Sequence, residues 1–234
     1  MKIAIMQPYI FPYIGYFQLI NCVDKFIIYD NIQYTKKGWI NRNRILQNGK
    51  DEYFTLPLKN DSDFLNVNER EFSLNWKFEK AKILNKLTEQ YRKAPNYNEV
   101  MNLIQKSFDF NSLNLFDFIL NALKVTLDYF EIKKEIVISS SIKIDHNLKS
   151  EEKVIEICKY LDAKTYINPI GGIELYNKET FLKNGISLQF LKANNCIYTQ
   201  FKNEFVPFLS IIDVLMFNSK EETKRIIEKE FVLL

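Results

Sequence analysis

A chain of 234 residues with 47% hydrophobic side chains is long enough to bury one generous core, and 19 Phe and 13 Tyr against 2 Trp give that core a large aromatic packing area. Its 32 basic and 29 acidic residues leave a formal charge of +3, too near neutrality to draw a nucleic acid or a membrane by bulk attraction, so any basic site must be local. Three widely spaced cysteines and a single histidine, His146, support neither a disulfide framework nor a metal site, and no stretch offers the ~20 uninterrupted apolar residues of a membrane span.

Residues 2 to 6 and 26 to 29 are short apolar runs stopped by Gln7-Pro8 and by Asp30-Asn31, the pattern of buried parallel strands. Phe17, Leu19, Ile20 and Val23 between them suit a short helix. The opening run is too short for a signal peptide, and a soluble, cytoplasmic protein is expected. From Asp30 to about Arg44, polar and charged side chains crowd around Gly38-Trp39, as in a binding loop. Residues 51 to 57 read as a strand, and 59 to 75 as irregular. Between Trp76 and Phe130 the period becomes helical. Ile83, Leu84, Leu87 and Tyr91 share a face, Pro95 breaks the chain before a second helix near Tyr97, and a third, capped at Asn111-Ser112, carries Phe116, Ile119, Leu120, Leu123, Leu127 and Phe130. Alternation then resumes, with strands at 135–139, 164–168 and 187–191, helices over 150–161 and from Lys178 to Gly185, and a terminal helix opened by a Ser219/Glu222 capping box. The pattern predicts a doubly wound, mostly parallel, Rossmann-like α/β sheet. Residues 1–74 and 131–234 would form its two parts and 75–130 a helical insertion, all within one domain.

In such sheets ligands bind beyond the carboxyl ends of the strands. The turns after residues 6, 29, 139 and 167 therefore supply candidates: Gln7 and Tyr13 to Tyr16; Asp30, Gln33 and Tyr34; Ser139, Ser140 and Ser141; and Asn168, Gly171 and Gly172. Lys37, Trp39, Asn41, Arg42, Asn43 and Arg44 add local charge and a stacking surface, since guanidinium groups bind phosphate bidentately and an indole stacks on a base or sugar. The paired glycines would let backbone amides approach a phosphate. Asp30 is the candidate general base, with Gln7, Tyr13 and Tyr16 as candidate oxyanion donors. No Cys or Ser has an evident histidine partner for covalent catalysis. Plainer readings stand beside these: Tyr9, Phe11, Tyr13, Tyr16 and Phe17 as packing, the basic cluster as a solvated loop, Gly171-Gly172 as a turn, and His146 as incidental. Asp213, in an apolar segment, either joins a buried network or faces the site.

Residues Gln7-Pro8-Tyr9-Ile10-Phe11-Pro12-Tyr13-Ile14-Gly15-Tyr16, Tyr29-Asp30-Asn31-Ile32-Gln33-Tyr34 and Gly38-Trp39-Ile40-Asn41-Arg42-Asn43-Arg44 closely resemble the N-terminal signature of the WbqC-like family. The resemblance continues through Trp76, Tyr91-Arg92-Lys93-Ala94-Pro95, the 166–176 region and Phe208-Leu209-Ser210-Ile211-Ile212-Asp213, and so spans nearly the whole chain. It implies an enzyme of surface-polysaccharide synthesis (O-antigen or capsule). Such an enzyme would transfer an acyl or aminoacyl group, glycyl among the candidates, to the amine of a nucleotide-linked amino sugar. The donor would be an aminoacyl-tRNA, a thioester or an amino acid activated with ATP. A fainter similarity links Tyr13-Ile14-Gly15-Tyr16-Phe17 to the opening of pantothenate synthetase and related nucleotidyltransferases, which carry His-x-Gly-His there. Tyrosine keeps the hydrogen-bond donors but not the imidazolium charge. The rival expectations are an adenylate-forming ligase that requires ATP and Mg²⁺, and a non-catalytic sugar-nucleotide-binding protein. No membrane partner is expected, and the sequence leaves oligomeric state open.

Overall fold

The computed structural model describes residues 1–202 and 204–234. The chain opens with β1 (Lys2–Met6), α1 (Ile14–Cys22) and β2 (Lys25–Ile28), followed by β3 (Arg42–Gln47) and β4 (Lys50–Thr55). Three helices come next: α2 (Trp76–Tyr91), α3 (Tyr97–Phe108) and α4 (Leu115–Phe130). The rest alternates as β5 (Glu135–Ile138), α5 (Ser150–Tyr160), β6 (Thr165–Pro169), α6 (Lys178–Lys183), β7 (Ser187–Ala193), α7 (Ile211–Phe217), α8 (Lys220–Lys229) and β8 (Phe231–Leu233).

Six strands form one sheet in the order β5-β2-β1-β6-β7-β8, parallel except for β8. This is the expected Rossmann-like arrangement. From β1 the chain steps outward to β2 and β5, then returns to the other side of β1 to lay down β6 and β7, so the order reverses between β1 and β6. Successive residues of β1 and β2 point to opposite faces and both faces are covered. Ala4, Phe26 and Ile28 join the core under α1 and the helices α2 to α4, whereas Ile3, Ile5 and Ile27 join a smaller core under α5 and α6. The helical block shares the larger core with α1, with Phe17 against Phe130 at 5.7 Å and Phe11 stacked on Phe108 at 6.2 Å between ring centroids.

Three local expectations change. The polar stretch ending at Arg44 is not all loop. Residues from Arg42 onward pair with β4 in an antiparallel hairpin, turned by Asn48 (φ 51°) and Gly49 (φ 76°). A two-residue turn with both φ values positive matches the strand twist and favours Asn-Gly. The cap of α4 is Asn114, whose side chain accepts from the Asp117 amide at 3.1 Å, rather than Asn111-Ser112. An isolated bridge between Glu71 and Asn114 keeps the chain extended that far, which delays the helix by one turn. Lastly, β8 has only three residues, too few for a periodic signal. Among the described residues no helix is long and apolar enough to cross a membrane.

Candidate functional site

Where the strand order reverses, the carboxyl ends of β1, β6 and β7 splay around a crevice of about 370 Å³. Met6 lines it from the end of β1, Tyr9 and Tyr13 from the opening turn, Tyr16 from α1, Pro169 and Ile170 from the end of β6 and the turn after it, Leu191 to Ala193 from β7, and Phe208 from the connection into α7. The walls are mainly apolar, and Lys192 is the one charged side chain among them.

The opening turn owes its shape to residues far away in sequence. Phe11 adopts φ 41°, a left-handed conformation costly for a non-glycine residue, so something must hold it there. Its carbonyl accepts from the Asn43 amide at 2.5 Å and from the Ser210 hydroxyl at 2.7 Å. Asn43 is fully buried. It also donates to the Ile10 carbonyl, and its Oδ1 accepts from the Tyr9 hydroxyl at 3.1 Å and from the Arg44 amide at 2.7 Å. Strand β3 thereby clamps the turn that forms the crevice wall.

The tyrosines divide by their partners. Tyr16 is buried and donates to the Gln7 carbonyl at 3.1 Å; Tyr9 donates to Asn43. Tyr13 has no hydrogen-bond partner for its hydroxyl among the described residues and sets its ring edge against Phe208 at 5.6 Å. Burial raises the phenol pKa of all three above the ordinary 10, with Arg44 partly opposing the effect at Tyr9, so each stays a neutral donor. Gly15 lets the Tyr13 ring lie close, because a Cβ there would stand 3.2 Å from it. The Gln7 side chain likewise has no protein partner.

The two arginines separate. Arg44 stands behind the crevice wall: it pairs with Asp51 at 3.0 Å, donates to the Phe208 carbonyl at 3.1 Å, lies over Trp39 at 5.3 Å, and keeps an unpartnered Nε–H. Trp39 in turn touches Tyr9, 6.1 Å between centroids. Arg42 instead spends its guanidinium on the carbonyls of Gly38 and Lys37 and on the Tyr53 ring at 4.6 Å, so it folds its own loop and is not the expected phosphate clamp. Lys37 is exposed with φ 61°. Tyr34 and Asn41 bond each other at 2.8 Å, Asn41 also holds the Leu56 carbonyl, and Gln33 holds that of Asp63. These four stay within the hairpin and its neighbouring loop.

Asp30 also departs from its expected role. Its buried carboxylate accepts from the Ser139 hydroxyl at 3.0 Å, the Ser140 amide at 2.9 Å and the Asn68 side chain at 2.8 Å, which leaves a brace between β2 and β5 rather than a base facing the crevice. Ser140 contributes its amide to that brace. Ser139 reaches on to Asn31, and Asn31 to His146, whose other ring nitrogen meets the Ile142 carbonyl; His146 is therefore part of a network. Asn168 accepts from the Tyr166 hydroxyl, and a Cβ on Gly172 would come within 2.0 Å of its amide nitrogen. Gly172 is a glycine because Asn168 packs there, so the expected phosphate cradle is replaced by a packing contact; Gly171 faces open space. Asp213 is fully buried and accepts from Tyr91, Tyr198 and Gln200, each at 2.7 Å, with its carboxyl raised above the ordinary 3.8 by burial.

Of the expected site residues, Tyr13 and Tyr16 line the crevice; Arg44, Trp39 and Asn43 stand behind its wall, through Phe208 and Tyr9, and Gln7 is tied to it by its carbonyl's bond to Tyr16. Lys192, Asn195 and Phe208 were missed. The rule that named four strand ends applies equally to the strand ending near 191, which would have pointed to the first two.

A stretch of 58 residues is 50% identical to "Uncharacterized protein Rv1507c" of Mycobacterium tuberculosis (strain ATCC 25618 / H37Rv), covering a quarter of this chain and a quarter of that protein. No solved structure matches the chain. The family model described as the WbqC-like protein family matches residues 7–225, from the crevice turn to α8, and the chain belongs to that family.

Proposed function

We propose that the chain binds a nucleotide-linked amino sugar in the crevice between β1, β6 and β7 and transfers an acyl or aminoacyl group to its amine, as part of surface-polysaccharide synthesis. The observation that carries this reading is the crevice itself: an apolar, aromatic cleft at the point where the strand order reverses, with one phenol lacking a protein partner among the described residues and one lysine, Lys192. Aromatic walls suit the faces of a sugar or base, and a few placed polar groups fix orientation. The exposed amine of Lys192, which has no carboxylate partner among the described residues, is available to a diphosphate.

In the transfer, the sugar amine attacks the carbonyl carbon of an activated donor. The C–N bond forms, the bond to the leaving group breaks with its electron pair, and the amine proton goes to that group or to water. The Tyr13 hydroxyl, neutral and without a protein partner among the described residues, donates to the developing oxyanion. No carboxylate lines the crevice, which favours a donor activated before it arrives. The test is calorimetric titration with UDP- and dTDP-linked amino sugars, then mass spectrometry after adding candidate donors. A product heavier by the acyl group supports the reading; sugar nucleotides that do not bind overturn it.

A second reading, the adenylate-forming ligase, is favoured by Tyr13-x-Gly15-Tyr16 lining the crevice at the strand-to-helix turn. Without a carboxylate in the crevice wall, Mg²⁺ would have to come with the nucleotide's own phosphates. Pyrophosphate release from ATP distinguishes this reading from the first.

A further inference from the structure

Away from the crevice, the tip of the β3–β4 hairpin, the end of α2 and residues 201–202 enclose an open groove of about 520 Å³. Asn48 and Gly49 line it from the hairpin turn, Glu89, Gln90, Arg92 and Lys93 from α2 and the residues that end it, and Lys202 from the long connection after β7; Glu89, the one carboxylate of the lining, pairs with none of the three cations among the described residues. The state of its cations sets it apart. Among the described residues Arg42, Arg44, Arg70 and Arg225 all donate to carbonyls or carboxylates, and Arg92 alone of the five arginines has no protein partner. Lys93 and Lys202 form no ion pair among the described residues either, so the groove holds three uncompensated cations against the one carboxylate of Glu89.

A helix C-terminus favours nearby cations, which accounts for Arg92 and Lys93. It does not account for Lys202, which reaches the same groove from a different element, nor for the unengaged amides of Asn48 and Gln90 opposite. We propose that this groove is a second binding site, taking the phosphate of a phosphate-bearing small molecule, with Arg92 as the bidentate contact and Lys93 and Lys202 as point charges. The site is independent of the sugar-nucleotide reading.

The test is NMR titration of the full chain with inorganic pyrophosphate. Saturable shifts at Asn48, Gly49 and the Arg92 side chain are expected, with at least tenfold weaker binding in the triple variant Arg92→Ala/Lys93→Ala/Lys202→Ala, all three positions being exposed. Arg92→Gln alone should weaken binding at least threefold, which keeps the test alive should the triple variant fail to fold. Adenosine 3′,5′-bisphosphate forms the second arm: tighter binding than pyrophosphate assigns the phosphate to a nucleoside-borne ligand, and equal binding assigns it to phosphate alone. No shift at millimolar pyrophosphate, shifts at the crevice instead, or equal affinity in the variants would overturn the proposal. Binding here with no sugar nucleotide bound in the crevice would leave this site standing and remove the function proposed above.

Discussion

The carboxyl end of β2 and the carboxyl ends of β1, β6 and β7 lie on one rim of one sheet, yet their polar side chains meet opposite fates. At β2, Asp30 is surrounded by donors from Ser139, Ser140 and Asn68, and its hydrogen-bonding capacity is used within the protein. At β1, Tyr13 stands in an apolar cleft with its hydroxyl free. Position at a strand end makes a polar residue a candidate; whether its partners come from the protein decides whether it braces the fold or waits for a ligand.

Substitutions can break or sharpen this contrast. The largest effect is expected at the buried carboxylate away from the rim. Asp213→Ala strands Tyr91, Tyr198 and Gln200, and urea denaturation should show a loss of about 3–5 kcal/mol. Asp30→Ala should follow at about 2–3 kcal/mol, with sugar-nucleotide affinity retained; an affinity that collapses while the protein stays folded would return Asp30 to the site. Gly172→Ala must push the Asn168 side chain aside and should cost about 1–3 kcal/mol in the same assay. The sharpest comparison is between two tyrosines in one wall. Tyr16→Phe leaves the Gln7 carbonyl without its donor and should cost about 1 kcal/mol of stability. Tyr13→Phe should change stability by less than about 0.5 kcal/mol yet lower turnover about 100-fold; equal behaviour of the pair would erase the distinction. The smallest effect belongs to an exposed cluster. Lys220 and Lys224 hold the Glu131 carboxyl down from 4.5 to about 2, so its stabilising contribution is present above pH 4.5 and fades as the pH falls toward 2. A Glu131→Gln comparison by thermal melting should show the two proteins converging at acid pH.

Much of the fold was legible because apolar runs flanked by Pro, Asp and Gly carry their meaning locally. The five parallel strands, the helix faces at Ile83 and Leu87, and the Ser219 cap all follow from neighbours within a few residues. The hairpin was hidden by its own chemistry: Arg42, Asn43 and Arg44 look like a loop by composition, and only the Asn48-Gly49 pair marks the turn that makes them a strand. The site was half legible. Tyr13 and Arg44 could be named from topology and charge, but the separation of Arg44 from Arg42 depends on which carbonyls each side chain finds, and sequence spacing does not encode that. Asp30 was misjudged for the same reason, since its donors come from residues 38 to 110 positions away.

Asn43 has one further implication. Its oxygen receives two donors while its nitrogen faces two carbonyls, so the orientation of the amide is fixed by all four neighbours at once. An aspartate of the same shape would turn a negative oxygen toward the Ile10 and Phe11 carbonyls. Replacing that single NH₂ by O would therefore repel the very turn that walls the cleft, so one atom of a buried strand residue governs the shape of a surface 32 to 33 residues earlier in the chain.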